Sequence, residues 1–359
     1  MKKTLFLFLL TLNSFCIKAQ ETFSISGKVL NPGGELMQAA TVFIDGSKKV
    51  TLTNNHGEFK FSNLTPGTYQ LVVNMLGYFS AKQNIIIQQL PVTLTITLKE
   101  KQIALAEVVI GVKSDWEDNL QLFTKNFIGE SENAKACKIL NAEILNFTNN
   151  KSQGILEAQS EDFLVIENKK LGYRIKYLLR NFQYNRITTT ASYDGESIFE
   201  SLEGTDTEQQ QWKENRKRAY EGSFMHYLRT VYHNTSQEEG FITYVVKNNQ
   251  QPLRLDPSPV NMEQYVLTVD KDFIALSFNK ILYVRFDKKK ASTPHKPEKK
   301  KAFTQAMGND GSVIRLFLKN AVIDSKGSYV DYRSFFVQGF WGRKRIADQL
   351  PFEYVVNND

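Results

Sequence analysis

The sequence has 359 residues, of which 42% are hydrophobic and 23% charged, a balance typical of globular proteins and not of disordered chains. The formal net charge is +7, but the segment from Arg285 to Lys301 holds eight Lys or Arg residues and only two acidic ones. The rest of the chain is close to neutral, which argues against a general nucleic-acid-binding protein. The two cysteines, Cys16 and Cys137, are too few for a structural zinc cluster.

The first 19 residues predict an export signal. Two lysines precede an apolar stretch from Leu5 to Leu12, which is too short to span a bilayer, and cleavage is expected after Ala19. The alternative is a lipoprotein signal that uses Cys16, but Phe15 stands where a lipobox requires a small residue. We therefore favour a soluble exported protein over a lipid-anchored one. The mature chain would have about 340 residues, enough for two domains.

Residues 20–99 show the pattern of a small β-sandwich. Apolar and polar residues alternate strictly from Val92 to Leu98, and turn signals occur at Asp45-Gly46, at Asn54 to Gly57 and at Thr65 to Thr68. Short strands with turns every ~8–12 residues are typical of such sandwiches. We therefore predict a seven-stranded sandwich of the immunoglobulin or transthyretin type.

Five short segments of this region, taken in order, carry a family resemblance. They are Ser26-Gly-Lys-Val, Ala40-Thr-Val-Phe-Ile, Thr51-Leu-Thr-Asn-Asn-His-Gly-Glu-Phe, Leu64-Thr-Pro-Gly-Thr-Tyr and Leu76-Gly-Tyr. As a set they resemble the carboxypeptidase regulatory-like domain, which is widespread in Bacteroidetes and often precedes TonB-dependent receptors. Asn54 departs from the usual Asp, although Asn can cap the same turn. The resemblance is to a non-catalytic module, so it implies no zinc-protease activity.

The segment Leu105-Ala-Glu-Val-Val-Ile also resembles the tail that follows this module in those receptors. A receptor would continue into a plug and a large barrel, but the remaining residues show no regular repeat of barrel strands. The chain is therefore not expected to be a receptor. The resemblance implies a periplasmic or outer-membrane-associated protein.

Residues 100–118 are predicted to form a linker, and residues 119–359 an α+β domain with mostly antiparallel strands and a few helices. Helices are expected from Asp115 to Phe127 and from Asp206 to His233, the second broken at Gly222-Ser223. Strands are predicted at 163–167, 172–179, 186–193, 241–247, 264–268, 273–276, 281–286, 312–318 and 329–336.

This second region resembles the second half of Bacteroidetes proteins that join the regulatory-like sandwich to an uncharacterised domain. Four segments carry the resemblance. They are Phe127-Ile-Gly-Glu-Ser, Asn133-Ala-Lys-Ala-Cys-Lys-Ile-Leu-Asn, Ile166-Glu-Asn-Lys-Lys-Leu-Gly-Tyr-Arg-Ile-Lys-Tyr and Trp212-Lys-Glu-Asn-Arg-Lys-Arg-Ala-Tyr-Glu-Gly-Ser. The resemblance implies no assigned reaction.

We find no motif for catalysis, a cofactor or a metal. The Gly-x-Ser-x-Gly elbow and Gly-rich phosphate loops are absent from the sequence. His226 and His233 lie two helical turns apart without the His-Glu-x-x-His spacing, so we interpret them as packing residues. Cys137 is interpreted as a small buried hydrophobe, because no His lies near it in sequence. We therefore predict that the chain is not an enzyme and binds no cofactor.

The basic segment 287–301 contains two prolines and no aromatic residue, which predicts a flexible loop. The plain interpretation is a solvated excursion between two strands. The functional alternative is contact with anionic lipid or an acidic protein surface. The lysines that would make this contact are Lys288, Lys289, Lys290, Lys299, Lys300 and Lys301. Without aromatic residues the loop is not suited to stacking on single-stranded nucleic acid.

A last cluster is aromatic and consists of Tyr332, Phe335, Phe336, Phe340 and Trp341. We favour a place in the core, although exposed rings would suit sugar rings or an outer-membrane protein.

Two functions follow as expectations. The first is a non-enzymatic interaction or scaffold protein at the outer membrane, associated with a barrel complex in transport or envelope protein assembly. The alternative is an envelope protein that binds glycans or processes glycans or peptides, which requires a concave site with convergent carboxylates or exposed aromatics.

Overall fold

A computed structural model describes residues 22–101, 113–290, 303–305, 310–329 and 331–356. The predicted export signal, most of the predicted linker, the receptor-like tail and Lys299, Lys300 and Lys301 lie outside these residues.

The described chain begins with a β-sandwich. Its strands are β1 Phe23–Leu30, β2 Thr41–Ile44, β3 Val50–Leu52, β4 Glu58–Leu64, β5 Gly67–Asn74, β7 Ala81–Ile87 and β8 Val92–Thr97, with a small pair formed by β6 Tyr78–Phe79 and β9 Lys99–Glu100. One sheet has the order β4-β1-β8 and the other the order β3-β2-β5-β7. Alternating residues such as Ile25, Val42 and Leu71 point between the sheets and form one core. The predicted seven-stranded sandwich is confirmed.

Three helices lie in the described part of the chain: α1 Lys113–Phe127, α2 Asp206–Tyr220 and α3 Phe224–His233. Thr205 and Glu208 form a capping box at the start of α2. Gly222 has a φ of +74°, which ends that helix, and Ser223 caps α3. The predicted break is therefore confirmed. Helix α1 begins inside the segment 100–118 that we had assigned to the linker.

The middle of the chain forms an antiparallel sheet of six strands. They are β10 Cys137–Ile139, β11 Leu145–Asn150, β12 Ile155–Ser160, β13 Leu164–Asn168, β14 Tyr173–Asn185 and β15 Thr190–Ser201. Strand β14 is central and forms a long hairpin with β15. The strand predicted at 186–193 is misplaced, because residues 186–189 form the turn of this hairpin. Phe123 and Phe127 of α1 pack against Phe182 in the core of this sheet.

The last part of the chain forms two further antiparallel sheets. The strands are β16 Phe241–Asn248, β17 Leu253–Pro259, β18 Val266–Thr268, β19 Phe273–Leu276, β20 Leu282–Phe286, β21 Phe303–Gln305, β22 Gly311–Leu316, β23 Ala321–Asp324 and β24 Phe335–Gly339. Their orders are β21-β17-β16-β20-β22-β24 and β18-β19-β23. Tyr227, Leu228 and Val231 of α3 fill the core against these sheets. The strand predicted at 329–336 begins only at Phe335, because residues 332–334 form a 3-10 turn.

The α+β architecture with mostly antiparallel strands is therefore confirmed. Among the described residues, no helix combines the length and the apolar character that crossing a membrane would require.

Candidate functional site

The described part of the basic loop lies directly after β20. The ammonium group of Lys288 pairs with the Glu221 carboxylate at 2.7 Å, and the Lys289 backbone N–H donates to the Asp287 carboxylate at 3.2 Å. Lys288 to Lys290 form a 3-10 turn. One of the six predicted contact lysines is thus engaged within the molecule, and contact with an anionic partner stays a prediction.

The C-terminal aromatic cluster is largely part of the core. Trp341 is 5% exposed, and its indole N–H donates to the Gly222 carbonyl at 2.8 Å. Phe335 and Phe340 pack partly buried against the same core. The core interpretation is confirmed for these three residues, whereas Phe336 lies on the other face of β24.

The two predicted histidines have different environments. His226 is buried, accepts the Gly222 N–H at Nδ1, and therefore donates from Nε2 to the Glu239 carboxylate at 2.8 Å. Burial lowers the pKa of His226, which favours this neutral form. His233 is exposed. No three His, Cys, Asp or Glu side chains come together as a metal site within the residues that the structure covers.

Cys137 is partly buried in β10, and burial raises the pKa of its thiol to about 12, with a smaller contribution from Asp348. Because the thiolate is the reactive form, we expect alkylation of native Cys137 by iodoacetamide at pH 8 to be at least ~100-fold slower than in urea. Intact-mass spectrometry over time measures both rates. Native and unfolded rates within tenfold of each other would contradict the assignment of Cys137 as an inert packing residue.

A shallow groove of about 570 Å³ runs beside α1. Its polar side chains bond to one another: Lys151 pairs with Asp115 at 3.3 Å, and the Asn149 amide donates to Asn119 at 2.7 Å. Arg186 donates to Asn149 at 3.2 Å. These polar side chains are therefore engaged with one another, and we assign the groove no ligand.

A set of buried side chains joins the sandwich to the rest of the chain. We call it the junction. Phe43 and Val72, on the outer face of the four-stranded sheet, pack with Ile198 of β15 and with Phe163. Backbone hydrogen bonds continue the contact, because Phe199 N–H donates to the Ser47 carbonyl at 2.8 Å. The sandwich is therefore docked and is not a free module on a linker.

Charged groups lie buried at the edge of the junction. Glu196 is fully buried, and its two carboxylate oxygens share the Arg180 Nε–H, at 2.8 and 2.9 Å from the nitrogen. Lys82 of the sandwich also pairs with Glu196. Beside them, Asp45 accepts the Ser197 N–H at 2.7 Å. The pKa of Asp45 is raised to about 7, chiefly by burial and also by the charge of Glu196, while the Ser197 N–H and Lys82 oppose the rise.

A second polar contact holds the turn between β4 and β5. The buried Asp324 carboxylate accepts the Thr68 N–H at 2.8 Å and pairs with Lys326 at 3.1 Å. The Lys326 ammonium group in turn donates to the Pro66 carbonyl at 2.9 Å. The predicted turn at residues 65–68 is thus also a docking element.

Substituting Gly67 with alanine tests this contact. A Cβ atom at Gly67 would lie 1.8 Å from Lys326 Nζ and 2.6 Å from the Asp324 carboxylate, at a φ of +151°. We expect G67A to lower the free energy of unfolding by about 2–3 kcal/mol in urea titrations of the full chain. Gly34→Ala is the control, because Gly34 has a φ of +84° with nothing near its Cβ position. Equal losses in both variants would show that the close approach to Lys326 is unimportant.

The segment 346–354, which we call the tie segment, crosses the junction. Ile346 and Ala347 belong to the core of the middle sheet. Phe352 packs on Tyr69 of the sandwich, with ring centroids 5.7 Å apart, and donates its N–H to the Gly46 carbonyl at 2.9 Å.

Arg229 of α3 fixes the tie segment from the other side. Its guanidinium group donates to the carbonyls of Phe352 at 2.8 Å, Tyr354 at 2.7 Å and Lys326 at 2.8 Å. Through these contacts the tie segment connects all three cores.

The sequence pattern did not reveal the junction. Asp45-Gly46 and Thr65 to Thr68 were recognised only as turns. One sequence signal could have pointed to the junction: two acidic residues, Asp194 and Glu196, stand near the middle of strand β15.

The fold defines a class of protein: a seven-stranded regulatory-type β-sandwich docked on a larger antiparallel α+β region. Residues 25–110 match the CarboxypepD_reg-like domain family. The chain therefore contains a carboxypeptidase regulatory-like domain.

Several solved structures match part of this chain at low similarity. A 3-chlorocatechol 1,2-dioxygenase from Rhodococcus opacus is 9% identical, with 23% of this chain and 62% of that chain covered and a TM-score of 0.21. The group B streptococcus pilus 2b backbone protein is 17% identical, covering 22% and 42%, with a TM-score of 0.20. A cohesin–X-dockerin complex from Acetivibrio cellulolyticus is 18% identical, covering 27% and 72%, with a TM-score of 0.21. The match spans less than two thirds of the first two chains. No curated protein matches the sequence.

Proposed function

We propose that this protein is an exported, non-enzymatic interaction or scaffold protein that acts at the outer membrane, bound to an outer-membrane barrel complex in transport or envelope protein assembly. The observation that carries the proposal is the junction. The sandwich buries one sheet face against β15 and is held by Asp324, Lys326 and the tie segment. Such docking fixes the relative positions of the surfaces that a scaffold presents to a partner.

The chemistry of the described residues supports a non-enzymatic role. His226 uses both ring nitrogens in internal hydrogen bonds, and burial raises the pKa of Cys137 to about 12. Catalytic groups usually have a free reactive atom and a pKa shifted toward the working pH. The alternative of glycan binding loses part of its basis, because Trp341, Phe335 and Phe340 pack in the core.

Native co-purification after crosslinking tests the proposal. The full-length protein would carry a C-terminal affinity tag and be recovered from detergent-solubilised envelopes, with a tagged periplasmic protein of unrelated fold as control. We expect one outer-membrane barrel protein to be crosslinked to this chain and not to the control. N-terminal sequencing of the same sample should show Gln20 if the signal is cleaved as predicted. Recovery of the protein alone, in the soluble fraction, would refute the proposed association.

A further inference from the structure

An arginine is held between two phenylalanine rings on one face of the six-stranded C-terminal sheet. Arg315 of β22 lies opposite Phe336 of β24, and its guanidinium carbon is 4.4 Å from the centroid of that ring. It is also 5.1 Å from the centroid of Phe317. The two rings contact each other edge to face at 5.6 Å. Cation–π contacts of this kind fix the plane of the guanidinium group.

The arginine is accessible. Arg315 is exposed, and Phe317 is 61% exposed although it is a large apolar side chain. The neighbouring Leu318 is 38% exposed. An exposed apolar surface around an ordered arginine is a common composition for the centre of a protein interface.

Among the described residues, Arg315 has no acidic side chain as an ion-pair partner. Asp310, which directly precedes β22, pairs with Arg285 at 2.8 Å. Within the described residues Arg315 has contacts with the two rings but no carboxylate partner. Its N–H donors form a fork that matches a carboxylate with two parallel hydrogen bonds.

We propose that Arg315, Phe317 and Phe336 form a docking site for a carboxylate side chain in an acidic, partly apolar segment of a partner protein. This inference rests on the proposed function, since it takes the partner to be a protein. The carboxylate would bind the edge of the guanidinium group, and neighbouring apolar side chains would cover Phe317 and Leu318. The guanidinium group already covers one face of each ring, which favours this ligand over a sugar that stacks on an open aromatic face.

A peptide titration tests the site on the full chain. The probe is acetyl-Leu-Asp-Leu-Glu-Leu-amide, compared with acetyl-Leu-Asn-Leu-Gln-Leu-amide and with an oligomer of galacturonic acid. The readout is the NMR signal of the Arg315 Nε–H group in uniformly ¹⁵N-labelled protein. We expect the acidic peptide to shift this signal and to bind at least ~10-fold more tightly than the amide peptide.

Two variants separate charge from geometry. Arg315→Lys keeps the positive charge but loses the planar fork, so its affinity for the acidic peptide, measured by calorimetry, should fall at least ~10-fold. Arg218→Lys is the matched control, because Arg218 is an exposed arginine that pairs with Glu214 on α2. Its affinity should not change. Equal binding of both peptides, an unchanged affinity in R315K, or binding of the galacturonic acid oligomer alone would overturn the inference.

A failure of the Arg315 docking site can be distinguished from a failure of the proposed function. If wild type and R315K crosslink the same envelope protein equally and the peptide does not bind, the docking site is wrong and the interaction role stands. If the acidic peptide binds at Arg315 but no envelope protein is crosslinked, the outer-membrane role is wrong and the docking site stands.

Discussion

Replacing Glu196 with alanine is expected to lower the free energy of unfolding by about 3 kcal/mol or more. The substitution removes the fully buried carboxylate that accepts the Arg180 Nε–H and pairs with Lys82. It leaves the positive charges of Arg180 and Lys82 facing each other across the junction, with the Asp194 carboxylate, 3.7 Å from Lys82, as a partial counter-charge. Partial solvent access to both cations, each 29% exposed, places the effect at the lower end of the range for buried ion pairs. Urea denaturation of the full chain measures the loss.

Glu200→Ala is the matched control for this prediction. Glu200 lies in the same strand and pairs with Lys176 at 2.6 Å, but the side chains of Lys176 and Glu200 are 38% and 34% exposed. Its removal should cost less than about 1 kcal/mol. Similar losses in E196A and E200A would mean that the buried charges do not hold the junction.

Substituting Asp45 with asparagine is expected to change how stability depends on pH. Burial raises the pKa of Asp45 from 3.8 to about 7. A raised pKa means that the protonated form is preferred in the folded state, so its contribution is fully present below pH ~4 and is lost as the pH rises through 7. Asparagine retains an oxygen for the Ser197 N–H and carries no charge. D45N should therefore be more stable than the wild type at alkaline pH.

The measurement is a pair of urea titrations for each protein. Between pH ~5 and pH ~8.5 the stability difference should widen by about 2–3 kcal/mol in favour of D45N. Asp256→Asn serves as the control, since hydrogen bonds from Ser258 and Lys247 lower the pKa of Asp256, so the stability difference between D256N and the wild type should stay constant across this range. A constant difference between D45N and wild type across this range would show that Asp45 ionises normally in the folded protein.

Local sequence patterns predicted an element correctly where the residues of that element alone, by their alternation, turns or caps, define where it begins and ends. The strict alternation from Val92 to Leu98 and the turn signals identified the sandwich, and Gly222 with the Ser223 cap identified the break between α2 and α3. Strands β10, β11, β12, β17, β21 and β23 were missed because they are short or rich in polar residues. Their positions are determined by pairing with β14 and other neighbours, and single-sequence patterns do not contain that information.

The junction could not be predicted for the same reason. The hydrogen bond from Ser197 to Asp45 joins residues 152 positions apart, and that from Thr68 to Asp324 joins residues 256 apart. Each partner is ordinary in its local context, a turn residue or a strand-end acid. Only the tertiary fold makes Glu196 buried and raises the pKa of Asp45.

The tie segment has a consequence for the order in which the protein matures. The sandwich has its own core and precedes the other described elements in the chain, so it can fold as soon as its strands have been synthesised. Phe352, which packs on Tyr69, and the carbonyls bound by Arg229 arrive about 280 residues later. During synthesis the sandwich therefore exists for a time with Phe43 and Val72 uncovered, in a state open to chaperones. Complete docking of the sandwich therefore requires that the chain has been synthesised as far as the tie segment.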